Sequence, residues 1–268
     1  MLFDSKYSVL KQSKVEGHRD GWGFVAFDGN RADFVAKQTS PLEKTWKEAK
    51  EAVKSYPSTC SSFFVRNASN PLGLNKGRIL TLEATQPFVQ SNMVFMHNGQ
   101  ILKPDVLMKK LGPGVMQPRS KNDSEVYMIL LMKLWKESRG IKAAFVRAEK
   151  FISDTYEENK GQNDEANAYS SLNCVVTDGS RMHVFNRYKR RYLKSLIDKE
   201  RNNYKMAFLA TKSRMIVSSE PLGDGGWQDL GDGKYLEAWV EKAKSGIRSQ
   251  SCDGSAAISR LPSEAPMR

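Results

Sequence analysis

The sequence predicts a layered α+β domain. Two groups of short apolar and β-branched runs flank a block of helical periodicity, tight Asp-Gly turns join neighbouring runs, and the strict strand–helix alternation of βαβ units is missing. The first strands fall at residues 22–27 and 32–36, with Asp28-Gly29-Asn30 between them as a hairpin turn. Helical spacing follows at 45–55, then strands at 61–66 and 93–97. The helix block covers 101–111, 124–136 and 140–160. Within it Val126, Ile129, Leu130 and Leu134 share one face, and Ala144, Phe145, Ala148, Phe151 and Ile152 recur at helical intervals. The second strand group lies at 172–177, 182–186, 206–211 and 215–219, its first pair joined through Asp178-Gly179-Ser180. Loops are expected at 112–122 and 157–171. One domain over residues 1–243 is the simplest organisation, with a flexible Ser/Gly/Ala/Pro-rich tail over 244–268.

Composition narrows the function class. Hydrophobic residues make up 40% of the 268 residues, enough for a substantial core. The start, Met1-Leu2-Phe3-Asp4-Ser5-Lys6, has no basic region leading into an apolar one. The apolar run 128–132 is too short to cross a bilayer, so a cytoplasmic protein with no membrane partner is expected. Cys60, Cys174 and Cys252 are widely spaced and odd in number, which implies neither a disulfide framework nor a metal site, and no cofactor is expected. The net charge of +12 comes from lysines spread along the chain. Arg187-Tyr188-Lys189-Arg190-Arg191-Tyr192 mixes bases with aromatics, but no nucleic-acid-binding motif accompanies it, so nucleic acid is not the expected partner.

Four short segments carry the chemistry. His18-Arg19-Asp20-Gly21-Trp22-Gly23 opens a strand, and Phe64-Val65-Arg66-Asn67-Ala68-Ser69 closes one. Thr85-Gln86-Pro87-Phe88 precedes a strand that ends in His97-Asn98-Gly99. Asn122-Asp123-Ser124-Glu125 heads a helix. Each has an ordinary structural explanation: Asn98-Gly99 is a strong turn signal, Asp123 suits a helix N-cap, Arg66 could be an exposed strand-end cation, and Gly21 and Gly23 could serve packing.

In combination and order they resemble the class II glutamine amidotransferases, of the N-terminal-nucleophile hydrolase superfamily, in the branch with a His-x-Asp-Gly-Trp-Gly motif. The resemblance runs from about residue 18 to 231. It includes a Leu-Asn-x-x-x-x-Asp-Gly segment at 172–179 and a Val-Ser-Ser-Glu-Pro-Leu segment, with Gly-Trp after it, over 217–227. It implies a four-layer αββα sandwich of two antiparallel sheets and release of ammonia from glutamine or a γ-glutamyl compound. By resemblance, Asn98 and the Gly99 N–H form the oxyanion hole. Arg66 grips the substrate α-carboxylate, helped by the Ser69 hydroxyl, Asp123 pairs with the α-ammonium, and His97 adjoins the bound substrate. An ammonia-accepting synthase subunit is the implied partner. Phe64 and Gln86 depart from the branch, which often has histidine at both positions.

The family nucleophile is an N-terminal cysteine whose own α-amine acts as base. No cysteine precedes His18, and only 17 residues do. The expectation is that a nucleophile-bearing first strand lies upstream and that the 268 residues are inactive alone. The alternative is a non-catalytic pseudoenzyme that binds glutamine or γ-glutamyl ligands.

Overall fold

A computed structural model describes residues 1–189, 197, 199–202, 204–211, 213–241, 244–252 and 256–257. Its centre is a face-to-face pair of β layers. In the first layer β1 (Trp22–Asp28) lies between β2 (Arg31–Gln38) and β3 (Ser61–Val65), antiparallel to both. Six successive β1 residues are buried, because both faces of this strand are covered. Trp22, Phe24 and Ala26 point outward to α1 (Val9–Glu16) and α2 (Leu42–Ser55), while Val25 and Phe27 point inward to Val94.

The second layer is a seven-stranded antiparallel sheet. It contains β4 (Phe88–Gln90), β5 (Met93–Asn98), β6 (Asn173–Thr177), β7 (Arg181–Asn186), β11 (Lys234–Glu241), β12 (Lys244–Ser251) and β13 (Ala256–Ala257), in the order β13-β12-β11-β7-β6-β5-β4. The period of two divides its side chains cleanly. Phe95, Cys174, Val176, Phe185 and Tyr235 form one core with α4 (Pro104–Leu111), α5 (Asp123–Lys136) and α6 (Ile141–Glu158), where Phe145 stacks on Phe185 at 5.0 Å. Val94, Met96, Val175, Val184 and Leu236 form the other face. The order of layers is therefore helix, sheet, sheet, helix, as the resemblance implies.

A second small sheet, from β8 (Ala207–Ala210), β9 (Met215–Ser218) and β10 (Trp227–Asp229) in the order β10-β8-β9, covers that same face through Phe208, Met215 and Val217. A short helix, α3 (Lys76–Ile79), follows the first sheet.

The predicted strands and helices all form, with ends shifted by a few residues. Several elements escaped the sequence reading, namely α1, α3, β4, β10, β11, β12 and β13. The face that α1 buries is Gln12, Ser13 and Glu16, so no apolar stripe marks it. Its signals are instead the caps, Ser8 accepting from the Lys11 N–H and Gly17 in the left-handed region. The tail expected from residue 244 does not begin there, because β12 pairs with β11 from Glu241↔Lys244 to Lys234↔Ser251. The polar stretch Lys-Ser-Gly-Ile-Arg-Ser-Gln-Ser shows no alternation, and a neighbouring strand supplies the pairing that its own pattern does not. Residues 258–268 and the segment 190–192 of the basic-aromatic run lie outside the described residues. Among the described residues no helix is long and apolar enough to cross a membrane.

Candidate functional site

A cavity of about 200 Å³ opens between the two β layers, beneath α1. Its walls include β3 and the loop after it (Phe63 to Ser69), the end of β5 (Met96, Asn98, Gly99), Asn173 on β6, and Ser218, Ser219 and Glu220 at the end of β9. Five of the six predicted site residues, Arg66, Ser69, His97, Asn98 and Gly99, border it. The sixth, Asp123, stands behind the wall.

The His18–Gly23 segment works as a clamp on the arginine loop. The Asp20 N–H donates to the Arg66 carbonyl at 3.1 Å, the Arg66 N–H donates to the Gly21 carbonyl at 2.9 Å, and the Asp20 carboxylate accepts from the Ala68 N–H at 2.8 Å. Trp22 anchors the clamp, stacking on Phe63 and donating from Nε1 to Thr45 Oγ1 at 2.8 Å. Gly21 sits at φ +113°, and at Gly23 a Cβ would lie 2.1 Å from the Gln86 carbonyl oxygen, so the motif glycines allow the turn and the close approach of the layers.

Arg66 itself is 3% exposed. Its Nη2 donates to the Ile79 carbonyl at 2.7 Å, while Nη1 is buried with no hydrogen-bond partner among the described residues. Burial pulls its pKa down from the usual value, opposed by the carboxylates of Asp20 and Asp123. A buried guanidinium with an idle N–H group is costly unless an anion completes it.

Asp123 is fully buried but is not part of the cavity wall. Its Oδ1 accepts from the Ser69 hydroxyl at 2.6 Å, and its Oδ2 accepts from the Ile101 N–H at 2.7 Å. It thus stands one hydrogen bond behind Ser69. Because that hydroxyl proton is given to Asp123, Ser69 meets the cavity as an acceptor backed by negative charge. That suits an ammonium group rather than the carboxylate expected for it. Nor is Asp123 the helix cap; Asn122 is, accepting from the Ser124 N–H at 2.8 Å.

His97 borders the cavity at the end of β5, while its ring packs toward α5. Along β5, Met96 and Asn98 share the cavity face, while Phe95 and His97 share the face toward α5. The ring is held between Ser124 Oγ, 2.8 Å from Nδ1, and the Ser171 carbonyl, 2.9 Å from Nε2, and it packs edge-on against Tyr127. The backbone bond fixes Nε2 as the protonated nitrogen of a neutral ring, so Nδ1 accepts from Ser124. Gln86, where the family branch often has histidine, seals the same strand end. Its Oε1 accepts from the His97 N–H at 2.6 Å and its Nε2 donates to the His97 carbonyl at 3.0 Å. The Asn98-Gly99 corner is thereby held from both sides, and Asn98 Nδ2 reaches into the cavity to donate to Ser219 Oγ at 3.2 Å.

Burial lowers the pKa of His97, and likewise that of His183. Each stays neutral in the native state at a pH where the unfolded chain, titrating near 6.5, takes up a proton. Their stabilising contribution is complete above that value and is lost as pH falls toward the depressed native values, at up to about 1.4 kcal/mol per pH unit for each. Urea midpoints should therefore fall between pH 7.5 and 5.5; equal midpoints would contradict the assignment.

Two of the cysteines carry raised pKa values because they are buried. Cys174 pairs with His97 across the strands, lies 3.6 Å from the Tyr127 hydroxyl, and is pushed by burial up to about 12. Burial also raises Cys60, which sits 3.6 Å from Thr177 Oγ1. A thiol needs a lowered pKa to attack at neutral pH. Cys174 should accordingly resist a thiol reagent at pH 7.5 until urea unfolds the chain, and rapid native-state labelling would show that the site is open.

Gln12, Ser13, Glu16, Asn173, Ser219 and Glu220 also line the cavity, and no role had been foreseen for them. Asn173, Ser219 and Glu220 lie within the two C-terminal segments that carried the resemblance, which was the available signal. The α1 residues gave none.

The family model for class II glutamine amidotransferases matches residues 3–257. A search of curated protein sequences returned no match. Among solved structures, a glutamine aminotransferase class-II domain protein from Silicibacter pomeroyi superposes with a TM-score of 0.60 at 17% identity, over 86% of this chain and 90% of that one. The glutamine phosphoribosylpyrophosphate amidotransferase of B. subtilis gives 0.54 at 16% identity, over 91% of this chain and 45% of that one. An allosteric regulatory enzyme of purine biosynthesis gives 0.55 at 14% identity, over 92% and 47%. The chain thus spans about half the length of the last two, and at these identities the likeness concerns the fold.

Proposed function

We propose that this chain, which belongs to the class II glutamine amidotransferases, binds glutamine or a γ-glutamyl compound in the cavity beside Arg66. The buried, unpartnered Nη1 of Arg66 carries this reading, because it offers a fixed cationic donor where a ligand carboxylate completes its bonding. Ser69, charged from behind by Asp123, receives the α-ammonium. An amino-acid zwitterion needs this pairing of cation and anion; a nucleic-acid phosphate does not. The side-chain carbonyl then lies toward Asn98 Nδ2 and the Gly99 N–H. Those donors suit the negative charge that builds on oxygen when an amide carbon is attacked, and one such donor is typically worth about 3 kcal/mol in the transition state.

Attack on an unactivated amide also needs a nucleophile with a base beside it. The buried thiols of Cys60 and Cys174 do not meet that need. We therefore assign ligand binding to the 268 residues as they stand, without turnover, and hydrolysis to a form that carries an N-terminal cysteine. The acceptor of the ammonia would be a partner synthase subunit. Calorimetry with L-glutamine tests the first part, with heat of binding expected and no heat counting against it. Coupled detection of ammonia tests the second, since sustained release by the purified chain would place a nucleophile that this reading lacks. A non-catalytic binding protein predicts the same two results and separates from the first reading only if a supplied N-terminal cysteine fails to give turnover.

A further inference from the structure

The outer edges of the two β layers meet at a second cavity, of about 220 Å³, lined by Val35, Lys37, Glu83, Val89 and Arg119. It shares no lining residue with the first cavity. Here β2 is the outer strand of its sheet and β4 ends the seven-stranded one. Alternation along β2 builds one wall. Phe34 and Ala36 pack with the layer of α1 and α2, which leaves Val35 and Lys37 on the opposite face, toward Val89 of β4. Lys37 Nζ lies 5.8 Å from the centroid of the Phe88 ring, and among the described residues it makes no hydrogen bond or ion pair. Arg119 comes from the loop before α5. Its Nη2 donates to the Val89 carbonyl at 3.1 Å and its Nε lies 3.5 Å from Glu125 Oε1, which leaves Nη1 uncommitted among the described residues. Glu83, the carboxylate in the wall, accepts from its own N–H and from the Thr81 hydroxyl.

The half-buried Lys37 ammonium has given up water without gaining a protein acceptor, and a second cation shares its cavity. Both costs fall when an anion enters. Burial pushes the Lys37 amine down to about 8; the charges of Arg119 and Arg66 add to this, and those of Glu125 and Glu83 oppose it. We propose that this cavity is an anion site, in which Lys37 Nζ and Arg119 Nη1 hold the carboxylate of a small carboxylic acid whose carbon chain lies between Val35 and Val89. Two cations from different elements give a two-point, charge-assisted grip on one carboxylate. The valine walls favour a carbon chain, and the fixed charge of Glu83 disfavours an anion with a second negative charge, such as phosphate. This inference does not depend on glutamine as the ligand of the first cavity.

Titration of the full 268-residue chain with butanoate, followed by the methyl resonances of Val35 and Val89, tests it. At pH 7 those methyls should shift and saturate. Lys37→Met and Arg119→Met should each weaken the binding by about tenfold or more. A bound anion raises the pKa of Lys37, so affinity is complete below about 8 and falls above it, by up to about tenfold per pH unit. The unmodified protein should therefore bind butanoate more weakly at pH 9 than at pH 7, whereas Lys37→Arg, which stays charged, should bind alike at both. Absence of saturable shifts overturns the proposal, and so does unchanged affinity in Lys37→Met or in the unmodified protein between the two pH values. Inorganic phosphate binding as tightly as butanoate overturns the carboxylate assignment. The methyls observed lie outside the first cavity, so this site can fail while glutamine binding stands, and the reverse.

Discussion

Replacing Arg66 with methionine is expected to weaken L-glutamine binding by about 30- to 1,000-fold, corresponding to about 2–4 kcal/mol. The size follows from burial. At 3% exposure, water does little to compete for the guanidinium, so the ligand carboxylate loses a charge-assisted donor that solvent does not replace. Methionine keeps much of the volume and removes the buried charge together with its idle Nη1. It also loses the Nη2 bond to the Ile79 carbonyl, so a stability decrease of about 1–2 kcal/mol should accompany the change. Circular dichroism separates that cost from misfolding. Arg66→Lys should recover little, because an ammonium on a flexible stem does not span Ile79 and a ligand with the planar fork of arginine. Unchanged glutamine affinity in a folded Arg66→Met protein would remove the arginine from the ligand site, and the proposed function with it.

Gly99→Ala should be the most damaging single methyl group in the site. A Cβ at this position would lie 2.1 Å from the Ser171 carbonyl oxygen, 2.7 Å from its carbon and 2.8 Å from His97 Nε2. Two of these atoms are backbone, and the same carbonyl accepts the His97 ring N–H, so relief requires moving the entry to β6. Overpacking of this kind costs about 1–3 kcal/mol and should lower the melting temperature by several degrees. Asn98 would be re-aimed as a result, so ligand affinity should fall as well. Gly114→Ala is the matched control: nothing lies within 4 Å of its Cβ, and its melting temperature should be unchanged. Equal melting temperatures for both variants would mean that the corner tolerates a side chain and that glycine there serves only the turn.

Much of the candidate site was legible because its residues sit at the ends of strongly patterned elements. Arg66 closes a strand, Asn98 and Gly99 close another, and Asp123 opens a helix, so each could be located before any contact was known. Their partners were not legible. Whether the Ser69 hydroxyl faces a carboxylate or an ammonium depends on where its proton goes, and that depends on Asp123, 54 positions away in the chain. Parity along β5 already separated His97 from Asn98, yet periodicity alone does not say which face meets helices and which meets a cavity.

The same division holds for the whole chain. Alternation and helical spacing determined the order of strands and helices, and the Asp-Gly turns determined two hairpins, since these are local preferences written within a dozen residues. Tertiary structure decided which face α1 buries, a largely polar one, and the strand β12, whose pairing comes from a neighbour. It also decided that β3 and β9 border one cavity. Edges meet or fail to meet according to how two sheets settle on a third, and that balance of packing and main-chain hydrogen bonding has no period in sequence.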